Sequence, residues 1–440
     1  MPPRSPVLLP APAIGAPPLP RVPTPERYTL ANGLRVVAAR MGTIPQIVIR
    51  VVIPAGSASE PKERPGTAAL AGHLLSEGTE LHTADELNAR IDYLGAALST
   101  HVGHDYAEAE AVLLRETLAE GIELLAEILT RPSFPPTELE RLRAESLDAL
   151  VAREDEPSNV ADDRVSLEVF GAGHPYGLPS FGTAEGITSV TREELAAFHD
   201  RQYRPAGSYL VAAGDFDPTE LRDLLESAFA GWTGDVPTVA YPPEVDTPPA
   251  KAGRRLLEEW EEAAQSEIRI AGRGIDRRSP EWMAGAVANY ILGGSTITGR
   301  LGANLREDKG WTYGANSSFS AGRARGAWVA HTAVDVEVTR GAVDEMMGEL
   351  LRMAEEPVDD AELRRAKDAM VLSLPRAFET PSQVASRLST LEAHDLPRDY
   401  WSTYPAAIEA VTADDVRRIA REHFHPDRVV TVVVGGGVEE

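Results

Sequence analysis

The chain has no cysteine, so any metal chemistry must rest on histidine and carboxylate side chains. His73 and Glu77 stand at i and i+4, a spacing that sets two side chains on one helix face. Glu145 would complete a set of three, and a catalytic zinc takes three protein ligands plus an open position for water. Glu77, however, falls beside the expected helix end, and nothing nearby supplies a general base. His73 therefore reads as an ordinary helix histidine. His101/His104 and His423/His425 also lack a pattern of ligands with a base, and read as surface or core residues. Arg306 and Tyr313 form the other pair with chemical reach, since a guanidinium and a phenol are good donors to a developing oxyanion. Taken alone, at i and i+7, they read as a helix-end ion pair and a packed aromatic. The glycine pair in LGGS, Leu292 to Ser295, reads as a helix-breaking turn. No Lys-Ser/Thr follows to make it a phosphate cradle.

The elements that must position these side chains occur twice. Ile187 to Gly214 aligns without a gap on Ile408 to Gly435: Thr191 meets Thr412, Tyr203 meets Phe424, Pro205 meets Pro426 and Gly214 meets Gly435. In each copy a threonine N-cap precedes acidic residues, an amphipathic helix follows, and proline ends it before an apolar strand closed by glycine. Phe134 to Pro157 repeats as Pro357 to Pro381. The chain is thus two copies of one module of roughly 200 residues, as its length predicts. Leu34 to Ala38 and Ile47 to Ile53 are strand-like, and a short turn between them predicts antiparallel pairing. Thr67 to Leu75, Thr83 to Leu94 and Thr117 to Leu129 carry helical periodicity. The expected class is α+β, each module a mostly antiparallel sheet packed with helices. The modules span 26–236 and 253–440, joined by a Pro-rich linker at 237–252.

Acidic residues outnumber basic ones 68 to 43, for a net charge of −25, which excludes the basic face that nucleic acid or an anionic membrane requires. No apolar run is long enough to span a membrane. Repeated prolines in residues 1–25 break any signal-peptide core, so this stretch is expected to be an extended arm. A cytoplasmic location follows as the expectation, with the periplasm as alternative.

Five stretches, in order, carry a resemblance: NGLRVV from Asn32, PGTAALAGHLLSEGT from Pro65, FPPTELERLR from Phe134, HPYGLPSFGTAEGITSVTREEL from His174 and LGGSTITGRLGANLREDKGWTYG from Leu292. Together they resemble the pitrilysin/insulinase family of zinc peptidases, which includes the mitochondrial processing peptidase and small bacterial homologues. The resemblance implies a zinc motif, H-x-x-E-H, framed here by Gly66 and Gly78-Thr79. Its first histidine falls at Ala69, its base at Gly72 and its second histidine at His73. The third-ligand position falls at Ala149, and a further acidic position at Leu142. One ligand of three remains and the base is missing, so this chain is expected to bind no zinc. By the same resemblance Arg306 and Tyr313 bind substrate backbone and stabilise a tetrahedral intermediate. The glycine-rich turn resembles a region that helps hold substrate in non-catalytic processing-peptidase subunits. The implied role is the non-zinc-binding subunit of a bacterial heterodimer. Its partner would be a homologous H-x-x-E-H chain that holds the zinc, and its substrate a peptide or unfolded protein. Such a chain is inactive alone. An inert scaffold with a peptidase fold is the alternative, and a stand-alone peptidase conflicts with Ala69, Gly72 and Ala149.

Overall fold

The computed structural model describes residues 21–42, 44–237, 239, 241, 249, 251–260 and 263–436. Most of the Pro-rich arm and much of the linker lie outside that set. Runs rich in Val, Ile and Ala become strands. Six make the first sheet: β1 (Glu26–Thr29), β2 (Arg35–Arg40), β3 (Gln46–Ile53), β4 (Ala97–Val102), β5 (Ala107–Leu114) and β6 (Tyr209–Gly214). Five make the second: β7 (Arg255–Glu259), β8 (Gln265–Arg273), β9 (Ala315–Phe319), β10 (Ala327–Asp335) and β11 (Val430–Gly435). Their orders are β1-β2-β6-β3-β5-β4 and β7-β11-β8-β10-β9. Without β1 the two orders superimpose strand for strand, which is the duplication seen in three dimensions. The pairs β2–β6 and β7–β11 are parallel; the rest are antiparallel. The class is α+β.

The expected pairing of β2 with β3 does not occur. β6 lies between them, parallel to β2 and antiparallel to β3. The cause is burial: every residue of β6, YLVAAG, is buried, so the strand belongs in mid-sheet with both edges paired. A turn next to two strands cannot register a third that arrives much later in the chain.

The helices of the first module are α1 (Thr67–Leu74), α2 (Ala84–Tyr93), α3 (Leu118–Thr130), α4 (Pro136–Glu154), α5 (Pro157–Phe170), α6 (Ala184–Ser189), α7 (Arg192–Gln202) and α8 (Pro218–Ala228). Those of the second are α9 (Trp282–Leu292), α10 (Arg300–Gly302), α11 (Thr339–Glu355), α12 (Asp360–Ser373), α13 (Pro381–Ala393), α14 (Tyr400–Ala410) and α15 (Ala413–Ile419). Thr191 and Thr412 are N-caps as expected, each closing a capping box, with Glu194 and Asp415 respectively. Among the described residues no helix is long and apolar enough to cross a membrane.

Each module covers one face of its own sheet and lends a helix to the other. Val384, Ala385 and Leu388 of α13 bury against Val37, Val48 and Val211 of the first sheet. Reciprocally, Ala161, Val165 and Val169 of α5 bury against Ala271, Val430 and Val432 of the second. Each fully buried Leu or Val contributes about 1.5–3 kcal/mol, so the exchange couples the modules strongly. A polar clamp adds to it. The buried Asp105 carboxylate accepts hydrogen bonds from Tyr176 Oη (2.8 Å), Tyr241 Oη (2.5 Å) and the backbone N–H of Arg323 (2.8 Å). First module, linker and second module thus meet at one carboxylate. Burial and the Asp105 charge push both phenols well above the usual tyrosine range.

Candidate functional site

Helix α1 begins at Gly66, whose φ of 106° is a left-handed conformation that suits glycine. The Glu60 carboxylate caps it, accepting the N–H groups of Gly66 (3.1 Å) and Ala68 (2.9 Å). Burial raises the Glu60 pKa to about 7, against the lowering effect of those donors. Nothing in the spacing marked this residue; only the loop before α1 brings it to the helix end.

Ala69 and His73 on α1 face Ala149 on α4 across a single cavity of about 510 Å³. The structure therefore brings together three positions that the sequence separates. Only His73 among them carries a metal-capable atom. It lies at the open side, yet crowding by protein, then the nearby His101 ring, hold its pKa below the ordinary imidazole value, with Glu77 opposing. Leu142 packs against the first core and faces no ligand role. Gly72 points elsewhere, into β4. A Cβ there would overlap Val102 Cγ2 and stand 3.6 Å from Tyr203 Oη. That hydroxyl is buried and has no hydrogen-bond partner among the described residues.

Glu77 and Glu145 do approach the same place, but a cation of the chain already holds them. Arg141 pairs with Glu77 (2.5 Å), Glu138 (2.7 Å) and Glu145 (2.9 Å). The donor set around the cavity is one imidazole, where a catalytic zinc needs three ligands and a base. These residues do not fit the metal.

His104 donates from Nε2 to the Leu178 carbonyl (2.9 Å), and His425 Nδ1 accepts the N–H of Asp427 (3.2 Å); both are structural. His423 is buried and meets Glu281 and Glu422, the one His/Asp/Glu group of metal-binding spacing among the described residues. Arg418 is the counter-ion of both carboxylates. Glu281 comes from a distant part of the chain, so spacing gave no signal of this group.

In the second module, α10 passes into a π-helical turn, Ala303–Asp308. Leu305 is fully buried, and the Asn304 amide donates to Glu345 (2.9 Å) and Glu349 (2.7 Å), which fixes the turn. Arg306 follows and projects outward, its ion pair being with adjacent Glu307 at 3.6 Å. Thr312 Oγ bonds the Gly314 carbonyl (3.0 Å), and Tyr313 between them stands 93% exposed. The expected helix-end ion pair forms, with Glu307, but the packed aromatic does not. Both side chains are presented to the outside on a braced segment. The preceding turn, Gly293-Gly294, breaks the helix as expected; the close approach of Ser317 N–H to the Gly293 carbonyl (2.8 Å) leaves no room for a side chain. Arg306 and Tyr313 line neither the α1/α4 cavity nor a larger one of about 660 Å³ between the modules, which includes His101, Glu108, Asp162 and His331.

Residues 35–183 match the family described as insulinase (peptidase family M16), and residues 189–370 match the peptidase M16 inactive domain. The chain belongs to the insulinase family. It is similar to an uncharacterised zinc protease of Mycobacterium tuberculosis, 27% identical over 417 residues that cover 93% of each chain. It is 23% identical to a probable mitochondrial-processing peptidase subunit beta of Arabidopsis thaliana, over 92% of this chain and 77% of that one. A solved structure from Pseudomonas fluorescens, described as a peptidase M16 inactive domain, superimposes with a TM-score of 0.88 at 23% identity, covering 94% of this chain and 98% of that chain.

Proposed function

We propose that this chain is the non-zinc-binding subunit of a two-subunit peptidase. It closes a peptide-sized chamber and supplies Arg306 and Tyr313 to the active site of a homologous H-x-x-E-H subunit. The observation that carries the reading is the pairing of opposites: an α1/α4 cavity with one metal-capable donor, and an Arg/Tyr segment held outward whose one ion pair among the described residues is with Glu307. The guanidinium and phenol would donate hydrogen bonds to the oxyanion that develops on a scissile carbonyl bound at the partner. Peptide would be held by strand addition at a sheet edge, and β4, at the end of its sheet, offers one. Zinc would reside in the partner alone, and unfolded segments would be the substrates.

Mixing the purified chain with an H-x-x-E-H homologue tests this. Peptide cleavage should require both chains, and zinc should follow the homologue. Arg306→Ala or Tyr313→Phe should lower kcat by about tenfold or more while leaving stability within roughly 0.5 kcal/mol, because both residues are outside the core. Turnover and zinc in the lone chain would overturn the proposal. Cleavage by the mixture that ignores both substitutions would favour the inert scaffold.

A further inference from the structure

We propose that the cavity between α1 and α4 has become a receptor for one large apolar side chain, aromatic or branched, of an extended peptide paired to the edge of β4. This rests on the peptide-binding reading above and adds what that peptide must carry. The positions where ligands would stand hold alanine, so Ala69 and Ala149 leave the space open rather than fill it. The remaining wall is mostly apolar, with Leu70, Leu150, Phe181 and Ile187. Its strongest polar group is already committed: Arg153 pairs with Asp163 (2.7 Å), bonds Asn159 (2.9 Å) and lies over the Phe181 ring at 4.9 Å. A volume of about 510 Å³ accommodates a phenyl or indole group. An apolar cavity of this kind gains from an apolar occupant and offers water few partners.

The occupant is a peptide because the cavity adjoins a strand edge. β4 pairs with β5 and, among the described residues, with no other strand. α1 packs along β4, so the helix that carries Ala69 and His73 lies beside the strand edge. Side chains of an added strand alternate between faces. Every second one is therefore directed to the side of Val102 and α1. Those between face the other side, where His101 of β4 opens into the cavity between the modules.

The test uses the whole chain and short N-acetylated, C-amidated peptides that differ at one position, Phe, Leu, Ala or Asp, with affinity read by isothermal titration. The Phe and Leu peptides should bind about ten- to a hundredfold more tightly than the Ala peptide, and the Asp peptide more weakly still. Ala149→Phe, at an exposed helix position, should fill the mouth and bring the Phe peptide down to the affinity of the Ala peptide. Ala152→Phe, also exposed and lining the cavity, repeats the test independently. Peptides that bind with no preference, or a preference that survives both substitutions, overturn the receptor while leaving the subunit reading intact. No binding by any peptide overturns both.

Discussion

Replacing Gly72 by alanine should show that this face of α1 has no room for a side chain. In a helix interior Gly→Ala ordinarily gains about 0.8–1 kcal/mol of propensity. At Gly72 the new Cβ would overlap Val102 Cγ2, whose residue is itself 7% exposed and packed in the first core. Overpacking of this kind costs about 1–3 kcal/mol, so the net change should be a loss of up to about 2 kcal/mol. Val102→Ala alone removes two buried methyl groups and should cost about 1–3 kcal/mol. In the double variant the alanine Cβ occupies the vacated space, the clash is gone and the propensity gain is realised. Gly72→Ala should therefore stabilise the Val102→Ala background, with a coupling of about 1–3 kcal/mol between the two sites. Urea denaturation of the four proteins, with constant m-values, measures it. Additivity within about 0.5 kcal/mol would refute the reasoning, because the two side chains would then not compete for one space.

Tyr203→Phe should be neutral or stabilising by up to about 1 kcal/mol, since it deletes a buried hydroxyl without a partner among the described residues; thermal denaturation with a loss above that size would contradict this. Glu60 has its folded pKa raised from 4.5 to about 7, so the folded state binds the extra proton between those values. Stability should therefore be highest below pH 4.5 as far as this group is concerned, fall as pH rises to about 7, and be level above it, with Glu60→Gln flattening that slope in denaturation curves. Leu388→Ala removes an α13 side chain that is 2% exposed against the other module's sheet and should cost about 2–5 kcal/mol. Because it sits in the exchange, denaturation should lose both modules together; a loss confined to one would contradict their coupling.

Much of this protein was legible from local pattern. The repeat, the threonine caps at Thr191 and Thr412, the proline stops and the glycine-closed strands each depend on a few consecutive residues, and local preferences suffice to express them. That Ala69, Gly72 and Ala149 carry no metal-capable side chain was legible too, since folding cannot add a ligand atom. What lay outside the sequence's reach is non-local. The insertion of β6 between β2 and β3, and the exchange of α5 and α13, are decided by which apolar face finds which partner across distant segments. The same holds for the cavity. Spacing placed Glu77 and Glu145 as possible ligands, but only packing put Arg141 between them. The resemblance implied a missing base at Gly72, but only the fold put Val102 against it and left Ala69 and Ala149 facing an open space. The sequence by itself determined which atoms are absent; the tertiary structure decided what occupies their positions, because occupancy follows from the close packing of residues that no local spacing relates.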